Sequence, residues 1–414
     1  MINKIKSINL MVLIGFLGLY LISTGVSWAA FSYLGGVGTS GSGGNNLTGL
    51  ARERAKIAEL PKDKECPING GMFTKVEEDI WKDRRPLTVV IENHLDARPL
   101  SGLSRADVVY EAIAEGGITR LLGVFYCGAS SQDFRVAVIR SARIHFINWA
   151  AEYGNNPIFV HWGGANTECP TCPGGVKPKG TVAPEVDAYA ALYKLGWTNG
   201  IYGNDFDGAK ATGYPVLQRL ANRLSSDPNY TIATEHTPAL FIDEAYKEAT
   251  KREFAYKDEN GLAWDEGFES WSFADDAPVG SPEYEKISLE FWSNKSDYDV
   301  AWEYDKASNS YKRLNGGKAF VDWEFDNTQV AVKNVVVQFV GERGPVDREL
   351  HMFYENISDG DVLVFQNGTV IEGTWEKDTQ LGRTKFYGED EKEIRFVRGQ
   401  IWIEAVPVGN DIVY

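Results

Sequence analysis

Residues 10–22 form an unbroken apolar run, preceded by Lys4 and Lys6 and followed by no charged residue until Arg52. The run alone has the length of a signal-peptide core, and Ser27-Trp28-Ala29 supplies small residues for cleavage. Counted on through Phe31, it gives about twenty mostly apolar residues, enough to span a bilayer. Both readings, signal peptide and signal anchor over residues 1–34, stay open. In either, the basic side remains in the cytoplasm and the rest of the chain lies outside it. No cysteine precedes Cys66, which excludes a lipid-modified N-terminal cysteine. Residues 35–44 are almost entirely Gly and Ser, the composition of a flexible tether. Tether and polar spacer together cover residues 35–62.

Beyond the spacer, short apolar runs alternate with helical patterns. Residues 87–91, 108–110, 121–126, 136–139 and 158–160 read as strands, the first buried on both faces. Ser141 reads as the N-cap of a helix through Phe146, Ile147, Ala150 and Ala151. Helical patterns recur at 215–224 and 242–249. This alternation predicts an α/β domain with a central sheet over residues 63–284.

From about Phe254 the pattern shifts to two-residue alternation rich in Trp, Tyr, Phe and Val. Asn367-Gly368 between two apolar runs is a strong hairpin signal. Residues 394–403 read as a further hairpin. Residues 285–414 are therefore predicted to be a mostly antiparallel β domain, giving an α+β protein overall.

Charge narrows the partners. A formal net charge of -16 and a pI near 4.9 remove the electrostatic term that nucleic-acid binding needs. They equally disfavour adhesion to anionic lipid or wall polymer by charge alone, but leave a locally cation-caged ligand open. Outside the cytoplasm the cysteines, Cys66, Cys127, Cys169 and Cys172, fit disulfides, with Cys169 or Cys172 the expected participant. The Cys169-Pro-Thr-Cys172 spacing also suits half a zinc knuckle or a redox pair.

Candidate chemistry gathers where the strands end. Residues 87–91 run into Glu92-Asn93-His94, residues 136–139 into Arg140-Ser141-Ala142-Arg143, and residues 158–160 into His161-Trp162-Gly163. Carboxyl ends of strands line the ligand crevice of open α/β sheets, so these groups are expected at one edge. Glu111 and Glu115 precede a Gly-Gly turn and Arg120. Their even spacing puts both on one face if extended, and a helix would also pair them, so they are candidates for acid/base work together with His161. Internal neutralisation of Arg120, Arg140 and Arg143 accounts for the same residue mix. Arg140 and Arg143 about a helix start would hold an anion. The ligand-binding candidates are Asn93, His94, Arg98, Arg120, Arg140, Ser141 and Arg143. No cofactor is implied, and no metal site is assigned.

The segments Arg85-Pro86-Leu87, Ile91-Glu92-Asn93-His94, Ala97-Arg98-Pro99-Leu100-Ser101-Gly102-Leu103, Ala106-Asp107-Val108-Val109-Tyr110-Glu111, Glu115-Gly116-Gly117-Ile118-Thr119-Arg120, Arg140-Ser141-Ala142-Arg143 and Val160-His161 resemble the YerB-like lipoprotein family. Gly373-Thr374-Trp375 and Trp402-Ile403 extend the likeness toward the end. The resemblance implies a bacterial envelope protein with paired N- and C-terminal domains of unknown function, although the lipobox cysteine is missing. The expected role is to act on or bind a cell-envelope polymer, as a glycan hydrolase or lyase. The alternative is a non-catalytic module for an anionic ligand or an envelope protein partner. An uncleaved N-terminal segment would add a membrane contact.

Overall fold

A computed structural model describes residues 60–167, 182–198, 203–225, 227 and 229–414. The apolar N-terminal run, the tether, Cys169 and Cys172 lie outside these residues. Among the described residues no helix is long and apolar enough to cross a membrane.

A ten-stranded mixed sheet carries the fold. Its strands, labelled in chain order, are β1 Leu87–Glu92, β2 Val108–Glu115, β3 Ile118–Phe125, β4 Ile158–His161, β5 Asp205–Asp207, β6 Asn334–Val340, β7 Asp359–Gln366, β8 Thr369–Glu376, β9 Lys385–Gly388 and β10 Ile401–Pro407. Their spatial order is β9-β8-β7-β6-β10-β2-β3-β1-β4-β5. β10 pairs in parallel with both β6 and β2, so strands from the two ends of the chain share one sheet across the boundary expected near residue 285. Every residue of β10 is buried, as a strand with parallel neighbours on both sides requires. β1, β2, β4, β5, β6 and β10 all point the same way, because β3 is antiparallel to both β1 and β2. Their carboxyl ends therefore share one edge.

A smaller sheet packs against this one. Its strands include Lys286–Leu289, Val300–Asp305 and Ser310–Asn315. Between the sheets Trp302 meets Trp402 edge-on at 5.4 Å between ring centroids. Among the described residues the α-helices are few and short: α1 Lys75–Trp81, α2 Ile144–Ala150, α3 Ala188–Lys194 and α4 Ile242–Lys251.

The α+β class holds, as does the hairpin about Asn367-Gly368, which joins β7 to β8 with φ of 57° and 79° at its two turn residues. Other expectations are corrected. Residues 215–224 form no helix; Leu217–Arg219 is a strand paired with Pro238–Phe241, whose own partner is Arg135–Ala137. Residues 394–403 form no hairpin, because Phe396–Val397 pairs with Phe273–Ala274 while β10 turns into the main sheet. Ser141 does not cap α2. Arg143 holds that position without a capping bond from its side chain, and the Ser141 hydroxyl donates to the Trp162 carbonyl at 3.0 Å.

One disulfide joins Cys66 and Cys127, tying the segment before α1 to the end of β3. The expected participants, Cys169 and Cys172, fall outside the described residues.

Candidate functional site

The shared edge is knitted by segment 140–143, which stays extended rather than starting a helix. The Arg140 amide donates to the Val90 carbonyl at 2.9 Å, and the Trp162 amide donates to the Arg140 carbonyl at 3.0 Å. The Ala142 amide donates to the Gly163 carbonyl at 2.9 Å. The ends of β1 and β4 and this segment are thus one backbone unit, and they bring Glu92, Arg140, Ser141, Arg143, His161 and Trp162 together as their sequence positions suggest.

Glu115 sits at the end of β2, beside them. Its Oε2 accepts from Arg143 Nη2 at 2.6 Å and from Arg143 Nε at 3.1 Å, while Oε1 accepts from Arg120. Arg120 also donates to the Ser141 carbonyl at 3.1 Å. Burial opposes the charge on Glu115, but Arg120 and Arg143 outweigh it and hold the carboxyl at about 2. Burial and Arg143 together lower Arg120 to about 9, with Arg140 adding to the repulsion.

Glu111 is not part of this rim. A register shift between Ile113 and Glu115 inserts a bulge in β2, so the two glutamates lie on opposite faces despite their even spacing. Glu111, fully buried, accepts from Arg313 at 2.5 Å, from the Thr119 hydroxyl at 2.7 Å and from the Asn93 amide at 3.1 Å. The second Arg313 nitrogen reaches Glu404 at 2.6 Å, and Trp302 Nε1 donates to the same Glu404 oxygen at 2.9 Å. Trp402, Phe320 and Trp302 surround the guanidinium. Glu404 is pushed up to about 8 by burial and by Glu111, against the pull of Arg313. Its other oxygen has no partner among the described residues, which suits a carboxyl that keeps its proton. Asn93 and Glu111 therefore belong to a sealed net between the sheets.

His161 is also enclosed. Nε2 meets Asp205 Oδ1 at 2.6 Å and Nδ1 meets the Gly163 carbonyl at 2.6 Å. Both partners only accept, so both ring nitrogens carry protons. Burial opposes that charge, yet Asp207 and Asp205 raise the imidazole to about 9. The ring is a fixed cation that pins β5 to β4, with no lone pair for base or metal. Arg98 is spent locally, donating to Asn93 and to the Asp297 carbonyl and lying over Tyr298.

What remains open is the outer rim. Arg140, its side chain 30% exposed, pairs with Glu92 at 3.0 Å. The exposed Arg219 lies over the Trp162 ring at 4.3 Å, and its guanidinium feels both partial burial and the repulsion of Arg140. At the rim the guanidiniums of Arg140 and Arg219 reach solvent, with the exposed Glu235 at the margin, while Arg120 and Arg143 lie buried behind them on Glu115. The other oxygen of Glu92 accepts from His236 Nδ1 at 2.9 Å, and His236 stacks on His94.

Sequence reasoning missed Arg313, Glu404, Arg219 and His236. Glu404 left one signal, a single carboxylate inside the apolar run of residues 401–406. Arg313 left none, because its neighbours Lys312 and Leu314 fit a half-exposed strand.

Two family models match the chain. "Protein of unknown function (DUF3048) N-terminal domain" covers residues 73–173, and "Protein of unknown function (DUF3048) C-terminal domain" covers residues 287–403. A curated relative, "Putative lipoprotein YerB" of Bacillus subtilis, is 30% identical over 374 residues, 86% of this chain and 90% of the relative. The crystal structure of the YerB protein from Bacillus subtilis superposes with a TM-score of 0.62 at 27% identity, over 85% of this chain and all of that one.

Proposed function

Because the chain belongs to the YerB-like family of DUF3048 proteins, we propose that it is an extracytoplasmic envelope protein whose sheet rim binds an anionic group of a cell-envelope polymer. The observation that carries this reading is the pair of solvent-facing guanidiniums, Arg140 and Arg219, backed by buried Arg120 and Arg143, on a chain of net charge -16. Two arginines close enough to repel gain most from an anion between them, and guanidiniums match the planar oxygens of carboxylate and phosphate. The acidic remainder of the surface keeps such a polymer off every other face. Placement outside the cytoplasm draws support from Lys4 and Lys6 before the apolar run, from the disulfide, and from the lipoprotein name of the relative.

A glycan hydrolase or lyase draws less support. Glycoside hydrolysis by its usual route needs a carboxylic acid facing a second carboxylate across an open cleft. Glu111 and Glu115 lie on opposite faces of β2 and each is held by arginine.

The test is co-sedimentation of the full-length chain, in detergent, with envelope glycopolymer before and after chemical removal of its phosphate and carboxylate groups. Retention on intact polymer that weakens with salt and vanishes on the stripped material is expected. Equal retention on both would overturn the anionic reading.

A further inference from the structure

Beside the arginine rim, three metal-ligating side chains from distant parts of the chain converge. A donor atom from each of His94, Asp96 and His236 lies within 4.8 Å of the other two. His94 Nδ1 and Asp96 Oδ2 are 3.7 Å apart, where ligands held about 2.0–2.1 Å from a tetrahedral ion stand roughly 3.4 Å from each other. The rings of His94 and His236 stack at 5.3 Å between centroids with 17° between their planes, so the partly exposed His94 ring must turn about its side-chain bonds to bring both in-plane lone pairs onto one ion.

A second observation concerns the state of the two imidazoles. Glu92 Oε2 meets His236 Nδ1 at 2.9 Å, so the carboxylate engages Nδ1 and Nε2 is the nitrogen left to ligate. A carboxylate that fixes the tautomer of a ligating histidine is the usual support of a metal site. His94 Nδ1 accepts from the Asp96 amide at 3.2 Å, so this nitrogen also carries a lone pair, and the bond it would give up is one that solvent can replace. His236 is buried, His94 partly exposed, and the Asp96 side chain 73% exposed. One side of the cluster therefore opens to water.

We infer that His94, Asp96 and His236 form a binding site for a divalent transition ion of the zinc type, with Glu92 as the positioning residue that orients His236. Two imidazoles and one carboxylate with an open solvent position suit zinc, cobalt or nickel better than calcium or magnesium, which prefer all-oxygen shells. The site stands whether or not the arginine rim takes an anion. It would add positive charge next to Arg140, since Glu92 pairs with that arginine through its other oxygen.

Cobalt(II) is the probe, titrated into the full-length chain purified without a histidine tag. The expected result is one equivalent bound, with visible bands of nitrogen and oxygen ligation and no thiolate charge-transfer band. Asp96→Asn and His94→Gln should each weaken binding at least tenfold, and Glu92→Gln by about 10–100-fold. Asp96 is exposed, so its variant stays informative even if a change at buried His236 impairs folding. Cys169→Ser with Cys172→Ser should leave the titration unchanged. Absence of cobalt binding, binding indifferent to Asp96→Asn and His94→Gln, or binding lost with the two cysteines would each overturn the site.

Discussion

Glu111 and Glu404 occupy the same register position on the adjacent parallel strands β2 and β10, and Arg313 gives one nitrogen to each. Two carboxylates and one guanidinium, all fully buried, cannot keep two negative charges cheaply, so Glu404 holds its proton at neutral pH. The triad also joins the smaller sheet to the two central strands of the larger one.

This arrangement sets an unequal pair of mutational costs. In Glu111→Gln, Glu404 can ionise and take over the pairing of Arg313, so the loss is expected to stay below the roughly 3–5 kcal/mol of an orphaned buried charge. Glu111→Gln with Glu404→Gln removes both options and should incur that full cost. Urea unfolding of the two single variants and the double variant measures the coupling. Simple additivity of two small effects would contradict the shared proton.

Rising pH should destabilise the fold through named groups. Glu404 has a folded value of about 8 against 4.5 in the unfolded chain, and His161 about 9 against 6.5. A raised folded value gives stability that is fully present below the unfolded value and lost as pH rises through the folded one. The Glu404 contribution should therefore be lost between about pH 4.5 and 8 and that of His161 between about pH 6.5 and 9, so melting temperature should fall across that range, less steeply in Glu404→Gln. A profile equally steep in that variant would remove Glu404 from the cause. At the acid end Glu115, lowered to about 2 against 4.5, contributes stability above 4.5 that is lost as pH drops toward 2.

The sheet-edge assembly was legible because strand direction fixes where a strand's carboxyl end lies: Glu92, Arg140, Arg143 and His161 meet on the strength of short apolar runs alone. Glu111 and Glu115 misled, because an even spacing places two side chains on one face only in a regular strand, and nothing between Ile113 and Glu115 announces a bulge. Arg313 and His236 were illegible for a different reason. Each acts across more than 140 positions of chain, on Glu111 and on Glu92 respectively, and local pattern carries no record of a partner that distant. The 401–403 run reads as half a hairpin because period alone cannot distinguish an edge from the centre of a parallel sheet.

The disulfide is open to direct mapping. Peptides from unreduced protein should link Cys66 to Cys127, and closure of that 61-residue separation corresponds to about 4 kcal/mol of chain entropy. Cys66→Ser with Cys127→Ser should lose roughly 2–5 kcal/mol on chemical unfolding. A Cys66 peptide joined instead to Cys169 or Cys172 would contradict the pairing.

The anion-binding rim is tested most directly by the affinity of Arg140→Gln with Arg219→Gln for phosphate- or carboxylate-bearing envelope polymer, read beside the melting temperature. Both side chains reach the surface, so the fold should survive. A hydrogen bond from a guanidinium to an anion is worth about 1.5–3 kcal/mol, so the double variant should bind at least a hundredfold more weakly and with a shallower salt dependence. An affinity and salt slope equal to those of the unaltered chain would contradict the account.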